Sequence, residues 1–515
     1  MSSHQRLASL GLQLLFIIPW IQPLSAGPSR NTWPWLISAA CMAGLLLLRR
    51  QWRPQLMAQA ALGAALISCA FALLQYFGWA GQLSPWVALM GPGEGAANLR
   101  QRNQFADLTA IGLVALTYLF ARADTQPRRW LPASLALLLL AAGHASSASR
   151  TGLLAWVMVL LGSLWFCWRS QRAVVGLVVS ALLLYLLASA LLPPALDAVL
   201  AHRSLPSPCA GGACNAMERL GASATDSRWA LWRNVLALIA QRPWTGWGWN
   251  ELDYAHYITL FDGPRFNDKL DNAHNLPLHL AVELGLPLAL LILLALLLMV
   301  WRARPWAETQ AWRQAAWGVL AVIGLHSLLE YPLWYGPFQM AVIVCAGSLW
   351  LVPRQAQLSA MPSLRPPQRW IDFLALALLL AAGALAYDYH RVSQIYLTPS
   401  QRYLGYREQP LQHARASWFF RGHADFASLT LTPLRADNAA EQLRMAEALL
   451  HYSPEPVVIE RLLDSAALLG DETRLALHSP RYQAAYPQQH AQWLQRQTRG
   501  SASAPAEPSK PARRP

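Results

Sequence analysis

Charged side chains are scarce in this sequence of 515 residues, in which Asp, Glu, Lys and Arg together make up 13%. That is about half of the share in soluble globular proteins, and it is too little to cover a soluble fold of this length with polar surface. Cysteine is also scarce, with six residues, so a disulfide-rich mini-scaffold is excluded. Apolar residues make up 55% and tryptophan alone accounts for 24 positions. The composition therefore predicts a membrane protein and excludes a large soluble enzyme or a disordered scaffold.

Lysine is nearly absent, since Lys269 and Lys510 are the two lysines in a chain with a net charge of +14. Arginine therefore carries the basic charge, and its placement decides what the charge means. With the N-terminus in the cytoplasm, fifteen arginines fall in short cytoplasmic loops and four in short outer loops. This bias follows the positive-inside rule. The basic charge thus reflects membrane topology, and nucleic-acid binding is not needed to explain it.

Eleven apolar runs are candidates to cross the hydrocarbon core of a bilayer, which takes roughly 17–25 residues. An odd number of spans places the C-terminus on the outer side of the membrane. The sequence therefore predicts an all-α, polytopic inner-membrane protein. The runs lie at 7–25, 33–48, 56–78, 105–121, 130–146, 151–168, 173–193, 275–300, 314–331, 337–352 and 370–388.

The spans divide the chain into five predicted regions. Two groups of transmembrane helices flank a large outer loop, and a helical outer region follows. In that outer region, apolar residues at helical spacing predict short hairpins of tetratricopeptide type. The Ser/Ala/Pro-rich end is predicted to be disordered. In order, the regions are 1–193, the loop 194–274, 275–388, the helical region 389–499 and the tail 500–515.

Five polar clusters fall on the outer side of the predicted membrane domain, at 98–107, 147–152, 226–251, 271–285 and 326–338. Charged groups at membrane depth are costly, so they usually face a cavity. Five clusters at one depth are more than topology alone requires. The sequence therefore predicts a functional site at the outer face.

Three arginines and one histidine in these clusters indicate the chemistry. Arg102, Arg150 and Arg228 offer planar, permanently charged guanidinium groups that match phosphate or pyrophosphate. The alternative is that each caps a helix or meets lipid headgroups. His274, at the mouth of the eighth span, is a candidate general base. Its alternative is a helix-entry histidine bonded to the backbone.

Trp247 and Trp249 present flat faces that suit sugar rings, but such side chains equally suit the membrane–water interface. Cys209 and Cys214 lie in the outer loop, where an oxidising compartment favours a disulfide between them. The alternative for this pair is two unpaired thiols.

Two His–Glu pairs stand four residues apart on predicted helical faces: His279 with Glu283, and His326 with Glu330. Each pair could bind a metal or relay protons. Two ligands are too few for a metal site, so we interpret both pairs as intramembrane hydrogen-bond pairs. No metal and no cofactor are expected.

The clusters, in this order, resemble the O-antigen ligase/polymerase superfamily (the WaaL, Wzy and PglL proteins). R-x-x-L-W at 228–232, RPWTGWGWNE at 242–251 and AHN-x-x-L-x-x-x-x-E-x-G at 273–285 look like the core region of that superfamily. NLRQRNQFAD at 98–107 looks like the N-terminal signature of PglL-type protein O-oligosaccharyltransferases. EYPLWY at 330–335, followed by a helical tail, is also typical of that branch.

The resemblance implies a glycosyltransferase that uses a glycan on undecaprenyl pyrophosphate as donor, at the periplasmic face and without metal. It implies an inverting transfer to Ser or Thr of an exported protein such as a pilin. His274 matches the essential histidine, and Arg228 and Arg150 match arginines that hold the pyrophosphate. Further substrate-binding candidates from the same clusters are Gln101, Arg102, Asn103, Glu330, Tyr331 and Tyr335.

Three other functions remain open at this point. O-antigen ligation to lipid A-core and glycan polymerisation would use the same donor with a sugar acceptor. A solute transporter is a different class, and it would show inverted repeats and broken helices at the membrane midplane. No such symmetry is visible in the sequence, and the polar clusters lie at one face.

Overall fold

The computed structural model describes residues 3–123, 130–167, 171–206, 208, 225–267, 269–351 and 368–502. The predicted disulfide between Cys209 and Cys214 lies outside these residues, as does 503–515 of the predicted disordered tail.

The described part of the chain is 77% helical and has no strands, which confirms the predicted all-α class. Among the described residues, fourteen α-helices precede residue 400, and each predicted span overlaps at least one of them. They are α1 Ser3–Ile21, α2 Thr32–Leu47, α3 Pro54–Tyr76, α4 Arg102–Arg122, α5 Trp130–Ser146, α6 Arg150–Cys167, α7 Arg172–His202, α8 Thr225–Gln241, α9 Leu252–Ile258, α10 Leu276–Leu284, α11 Leu286–Ala303, α12 Ala311–Ser327, α13 Gly336–Leu351 and α14 Gln368–Ser393.

Six helices of the described residues are long and apolar enough to cross a membrane, and three shorter apolar helices accompany them. The protein is therefore a polytopic membrane protein, and the count of eleven spans stays a prediction. The six are Pro54–Tyr76, Arg102–Arg122, Arg150–Cys167, Arg172–His202, Leu286–Ala307 and Gln368–Tyr396. The shorter three are Thr32–Leu47, Trp130–Ser146 and Gly336–Trp350.

The chain forms two compact units. The first comprises 1–225, 274–277 and 292–407, and the second comprises 226–273, 278–291 and 408–515. In the first unit, α3 packs against α4 and α5 through small residues. A Cβ on Gly112 would meet Ala65, and one on Gly143 would meet Cys69. Small residues allow such close helix contact, because within a membrane the association depends on packing.

Two buried amides fix the loop that leads into α4. Gln75 donates to the carbonyls of Ala88 and Ala97, and the Ala96 N–H donates back to the Gln75 side chain. Asn98 donates to the carbonyls of Ile21 and Trp86. These bonds satisfy backbone groups that have no helical partner, and they hold the N-terminal end of α4 in place.

A buried contact between an aspartate and a histidine joins α4 to α12. Asp107 Oδ2 contacts His326 Nδ1, and both side chains are buried. A carboxylate in the apolar interior is costly unless it has a partner. The two side chains therefore stay in contact, and this contact aligns the two helices. His326 therefore does not pair with Glu330, as the spacing of four predicted. The reason is that α12 ends at Ser327, so Glu330 lies beyond the helix.

The second unit contains helices α15 Pro410–Arg415, α16 Arg421–Leu431, α17 Ala439–Leu450, α18 Pro456–Leu469, α19 Glu472–Ala485 and α20 Pro487–Ala502. Each helix of this series packs on the next, and α17, α18 and α19 supply most of one apolar core. The tetratricopeptide type of these hairpins stays a prediction.

The stretch around α9 shares that apolar core, although sequence analysis assigned it to a separate loop. Tyr257 is buried among the tail helices, and its hydroxyl lies 3.0 Å from His478 Nδ1. Burial, with the nearby Arg481 guanidinium, lowers the pKa of His478 to about 4. His478 is therefore neutral at pH 7, and its Nδ1 can accept the phenol hydrogen. Arg481 also donates to the Ile258 carbonyl, over 2.7 Å.

A close approach of two backbone segments divides the predicted eighth span at Gly285. Trp247 N–H donates to Val282 O over 2.9 Å, and Leu286 N–H donates to Pro243 O over 2.8 Å. Both Gly246 (φ +68°) and Gly285 (φ +81°) adopt left-handed backbone conformations. We call this contact between 243–248 and 282–286 the glycine clasp. A Cβ on Gly246 would collide with the Glu283 carbonyl, and one on Gly285 with the Trp244 carbonyl.

We expect Gly246→Ala to destabilise the protein more than Gly470→Ala. Gly470 also has a left-handed backbone (φ +69°), but a Cβ there meets no atom within 4 Å. The control variant thus carries only the backbone strain, about 1–2 kcal/mol, whereas Gly246→Ala adds a collision with the backbone. Thermal unfolding of the purified protein in detergent measures both. Equal losses in the two variants would contradict the clasp.

A second prediction concerns the Asp107–His326 pair. Asp107→Ala should cost about 3–5 kcal/mol, because it leaves a buried imidazole without its carboxylate. The double variant Asp107→Ala/His326→Leu should recover part of this loss, since it removes both polar partners. The measurement is again the unfolding midpoint in detergent. A double variant less stable than Asp107→Ala would argue against this buried contact.

Candidate active site

His274 and Glu330 form a hydrogen-bonded pair within the first unit. His274 Nδ1 lies 2.6 Å from Glu330 Oε2, and the side chains are 28% and 9% exposed. Because a carboxylate oxygen accepts the bond, Nδ1 carries the hydrogen and Nε2 becomes the basic nitrogen of the ring. The arrangement of a carboxylate that orients a histidine is typical of general-base sites.

Two further side chains extend this pair. Asn103 Nδ2 donates to Glu330 Oε1 over 3.1 Å, so both carboxylate oxygens of Glu330 accept a hydrogen bond. Ser149 Oγ in turn donates to Asn103 Oδ1 over 2.7 Å. We call His274, Glu330, Asn103 and Ser149 the histidine network. The network joins four of the five predicted polar clusters, those at 98–107, 147–152, 271–285 and 326–338.

The backbone of His274 is in the left-handed conformation, with φ +50°. Such a conformation costs a non-glycine residue about 1–3 kcal/mol and is often found at functional sites. Asn275, the next residue, donates through its side chain to Leu328 O over 3.0 Å. Two aromatic rings follow: Tyr331 meets the His274 ring edge to face at 5.0 Å, and Tyr335 stacks on Tyr331 at 5.9 Å.

Arg150 immediately follows Ser149 in the chain and begins α6. Ser149 Oγ also accepts the Gly152 N–H over 3.0 Å, so one hydroxyl both caps α6 and joins the histidine network. The N-terminal end of a helix favours anions. Arg150 therefore lies at the N-terminal end of a helix, where anions are favoured, and the preceding residue, Ser149, belongs to the histidine network.

Two other residues of the first polar cluster have structural partners. Gln101 caps α4, because its side-chain oxygen accepts the Gln104 N–H over 2.7 Å. Arg102 forms an ion pair with Glu94 over 3.0 Å. Glu94 offsets part of the charge of the Arg102 guanidinium in this ion pair, and the binding of substrate by Arg102 stays a prediction. Asn103 remains, with a role as partner of Glu330.

Arg228 belongs to the second unit and lies on α8. Trp232, one turn later and on the same helical face, donates through its indole N–H to the Ala273 carbonyl over 3.2 Å. The R-x-x-L-W pattern thus positions Arg228 on the face of α8 that contacts the residue before His274.

The two tryptophans proposed to stack on sugar differ in their surroundings. Trp247 donates to Leu238 O over 3.0 Å, and the Arg242 guanidinium covers its ring at 4.1 Å. These contacts make Trp247 a packing residue of the glycine clasp, and its stacking on sugar stays a prediction. Trp249 is 62% exposed and remains a candidate. The predicted pair of His279 and Glu283 lies on α10, where His279 Nε2 is 3.5 Å from Glu283 Oε2.

Sequence analysis did not predict which residues pair with Glu330, nor the hydrogen bond of Ser149 to Asn103. Glu330 was predicted to bind substrate, but the structure places it against His274 and Asn103. Ser149 lay in the predicted cluster SASRTG without a role of its own. The signal for both was their presence in polar clusters at one face, and the pairing itself has no local sequence pattern.

Three segments of the chain match known protein families. Residues 97–120 match the family described as protein glycosylation ligase. Residues 135–293 match O-antigen ligase, and residues 314–499 match the C-terminal part of virulence factor membrane-bound polymerases. The matched segments include every residue of the histidine network.

A general O-oligosaccharyltransferase of Acinetobacter baylyi is 30% identical to the chain over 250 residues. The aligned part covers 48% of this chain and 42% of that relative. The chain thus aligns with less than half of the relative's length. Together with the family matches, this similarity agrees with the resemblance that the motifs indicated: separate segments of the chain are similar to O-antigen ligases, membrane-bound polymerases and protein glycosylation ligases.

Proposed function

We propose that the protein is a glycosyltransferase that moves a glycan from a lipid pyrophosphate carrier to a hydroxyl group of an acceptor protein. The observation that carries the proposal is the pairing of His274 Nδ1 with Glu330 over 2.6 Å, in a chain whose residues 97–120 match the protein glycosylation ligase family. A hydroxyl acceptor needs a group that takes its proton. The pairing leaves the basic nitrogen of His274 for that task.

His274 would take the proton of the acceptor hydroxyl as the oxygen attacks the anomeric carbon of the glycan. Glu330 would hold the imidazole in the required tautomer and stabilise the imidazolium that forms. Glu330 is therefore a positioning residue in this proposal, and Asn103 and Ser149 fix its carboxylate. The new bond forms on the face opposite the pyrophosphate, so the anomeric configuration inverts.

The leaving group is the lipid pyrophosphate, which keeps the electron pair of the broken carbon–oxygen bond. Arg150 and Arg228 would stabilise its negative charge, because guanidinium groups bind phosphate oxygens in a bidentate manner. For Arg150 the support is its position next to Ser149 in the chain, because the Ser149 hydroxyl donates to Asn103 of the histidine network. For Arg228 the support is its motif and the contact of Trp232 with Ala273. No metal and no cofactor enter the proposed reaction.

Aromatic side chains would bind the sugar rings of the donor. Tyr331 and Tyr335 lie next to His274, and Trp249 has an exposed ring. Aromatic faces match the apolar faces of sugars. Gln101 is left with its capping role and no assigned contact to substrate.

A protein acceptor, such as a pilin, is favoured by the O-oligosaccharyltransferase relative and by the glycosylation-ligase match at 97–120. Sugar acceptors remain the second candidate, because 135–293 matches O-antigen ligase. We propose undecaprenyl pyrophosphate as the carrier. The protein would lie in the bacterial inner membrane, with its N-terminus in the cytoplasm and the site and C-terminus in the periplasm.

The direct test reconstitutes the full chain with a glycan on undecaprenyl pyrophosphate and a pilin acceptor. We expect transfer by the wild type and a loss of about 10²- to 10⁴-fold in His274→Ala, the usual contribution of a general base. Arg150→Lys and Arg228→Lys should also lose transfer, because lysine cannot bind pyrophosphate in a bidentate manner.

Arg435→Lys makes the same exchange at an exposed arginine of the tail and serves as the control. Mass spectrometry of the pilin measures the product, and a lipid A-core acceptor in a parallel reaction tests O-antigen ligation. Undiminished transfer by His274→Ala would overturn the assignment of the base.

A second prediction isolates Glu330. In Glu330→Gln we expect kcat to fall by up to about 10⁴-fold, as in a catalytic triad whose orienting carboxylate becomes an amide, with little change in the KM for donor. The amide cannot stabilise the imidazolium, so the pH profile of kcat should also shift. Glu447→Gln, which makes the same change at the ion pair with Arg474, should leave kcat and the pH profile unchanged. A rise in donor KM without loss of kcat would instead make Glu330 a substrate-binding residue.

A further inference from the structure

An exposed aromatic turn connects α15 to α16 in the second unit. It comprises residues 416–420, with the sequence ASWFF, and we call it the aromatic turn. Trp418 is 86% exposed and Phe419 62% exposed. Among the described residues of the tail, 408–502, these are the exposed Trp and Phe side chains, whereas Trp493 is buried.

Hydrogen bonds hold the aromatic turn in a defined conformation. Ser417 N–H donates to Ala414 O over 3.0 Å, and Phe420 N–H donates to Ser417 Oγ over 3.0 Å. Ala414 and Ser417 are themselves buried, so they fix the turn to the helices on either side. The chain therefore holds Trp418 and Phe419 outward at a fixed place, and their exposure does not result from an unstructured end.

Arginines flank the aromatic turn on both sides. Arg415 precedes it, and its Nε donates to Ser428 Oγ over 3.1 Å, which fixes the start of this long side chain. Arg421 follows it with a side chain that is 81% exposed and has Asp425 at 3.8 Å. At that distance and exposure an ion pair is weak. The surroundings of the two aromatic rings are therefore locally basic.

The position of the aromatic turn in the chain relates it to the membrane. The candidate span Gln368–Tyr396 ends shortly before it, so the tail is tethered to the bilayer at its start. Exposed Trp next to Arg is typical of segments in the headgroup region, where the rings enter the lipid and the cations meet anionic headgroups.

We propose that the aromatic turn inserts Trp418 and Phe419 into the headgroup region of the membrane, with Arg415 and Arg421 on anionic lipid. The turn then anchors the tail helices to the lipid surface at a second point beyond the span. This inference does not depend on the proposed glycosyl transfer, because it needs only the membrane domain and the exposed turn.

The test uses the full chain in nanodiscs that contain phosphatidylethanolamine and phosphatidylglycerol. A bimane fluorophore is attached to Phe419→Cys in a variant whose six native cysteines are replaced. We expect doxyl-labelled lipid to quench this fluorophore and aqueous iodide to quench it weakly. Replacing phosphatidylglycerol by phosphatidylcholine should reduce the lipid quenching, since the arginines lose their anionic partners.

Leu468→Cys gives the matched control, because Leu468 is an exposed apolar residue on α18 of the same tail (55% exposed). Its fluorophore should be quenched by iodide and not by lipid. Iodide quenching at both positions would overturn the proposal, as would lipid quenching at both, which would show no special role for the turn. Shielding of the Phe419→Cys label by an added acceptor protein, without lipid quenching, would identify a protein-binding surface instead.

Discussion

The buried carboxylate of Glu330 is the constraint on which the rest of the first unit depends. A carboxylate at the edge of a membrane domain is stable only when its oxygens are compensated. His274 and Asn103 each compensate one oxygen, and the latter is held by Ser149. The start of α4, the start of α6 and the end of α12 must therefore meet at one place. The loop amides before α4 and the Asp107–His326 pair align these helix ends.

The motifs that resemble the O-antigen ligase/polymerase superfamily contain two kinds of residue. Some make contacts that hold the fold, and others are proposed to react with or bind the substrate. In RPWTGWGWNE, Gly246 and Trp247 form the glycine clasp with the E-x-G end of the AHN pattern. In R-x-x-L-W, Trp232 holds Ala273. His274 and Arg228 are the residues of these patterns that we propose for chemistry, and Trp249, with its exposed ring, is a candidate to bind sugar. A motif of this length is thus mostly a set of contacts that place a few reactive groups, and a conserved appearance alone would not tell the two kinds apart.

Sequence reasoning predicted the helical class and the outer polar clusters, because hydropathy and charge bias are local properties of the chain. It could not predict which polar groups pair. The spacing of four predicted that His326 pairs with Glu330, but α12 ends at Ser327. In the structure His326 contacts Asp107, and Glu330 contacts His274. The break at Gly285 was also invisible to hydropathy, because the run on either side is apolar. Its cause is a backbone contact with Trp244, which lies 41 residues earlier in the sequence.

Under the proposed function, the histidine network has a consequence for specificity. A base that removes a proton from a hydroxyl does not distinguish a serine side chain from a sugar, because the reacting group is the same. Enzymes discriminate through contacts with the rest of the substrate. One network of this kind is therefore compatible with all three families that segments of the chain match, the O-antigen ligases, the polymerases and the protein glycosylation ligases. The choice of acceptor must then come from contacts with the rest of the substrate and not from the network itself.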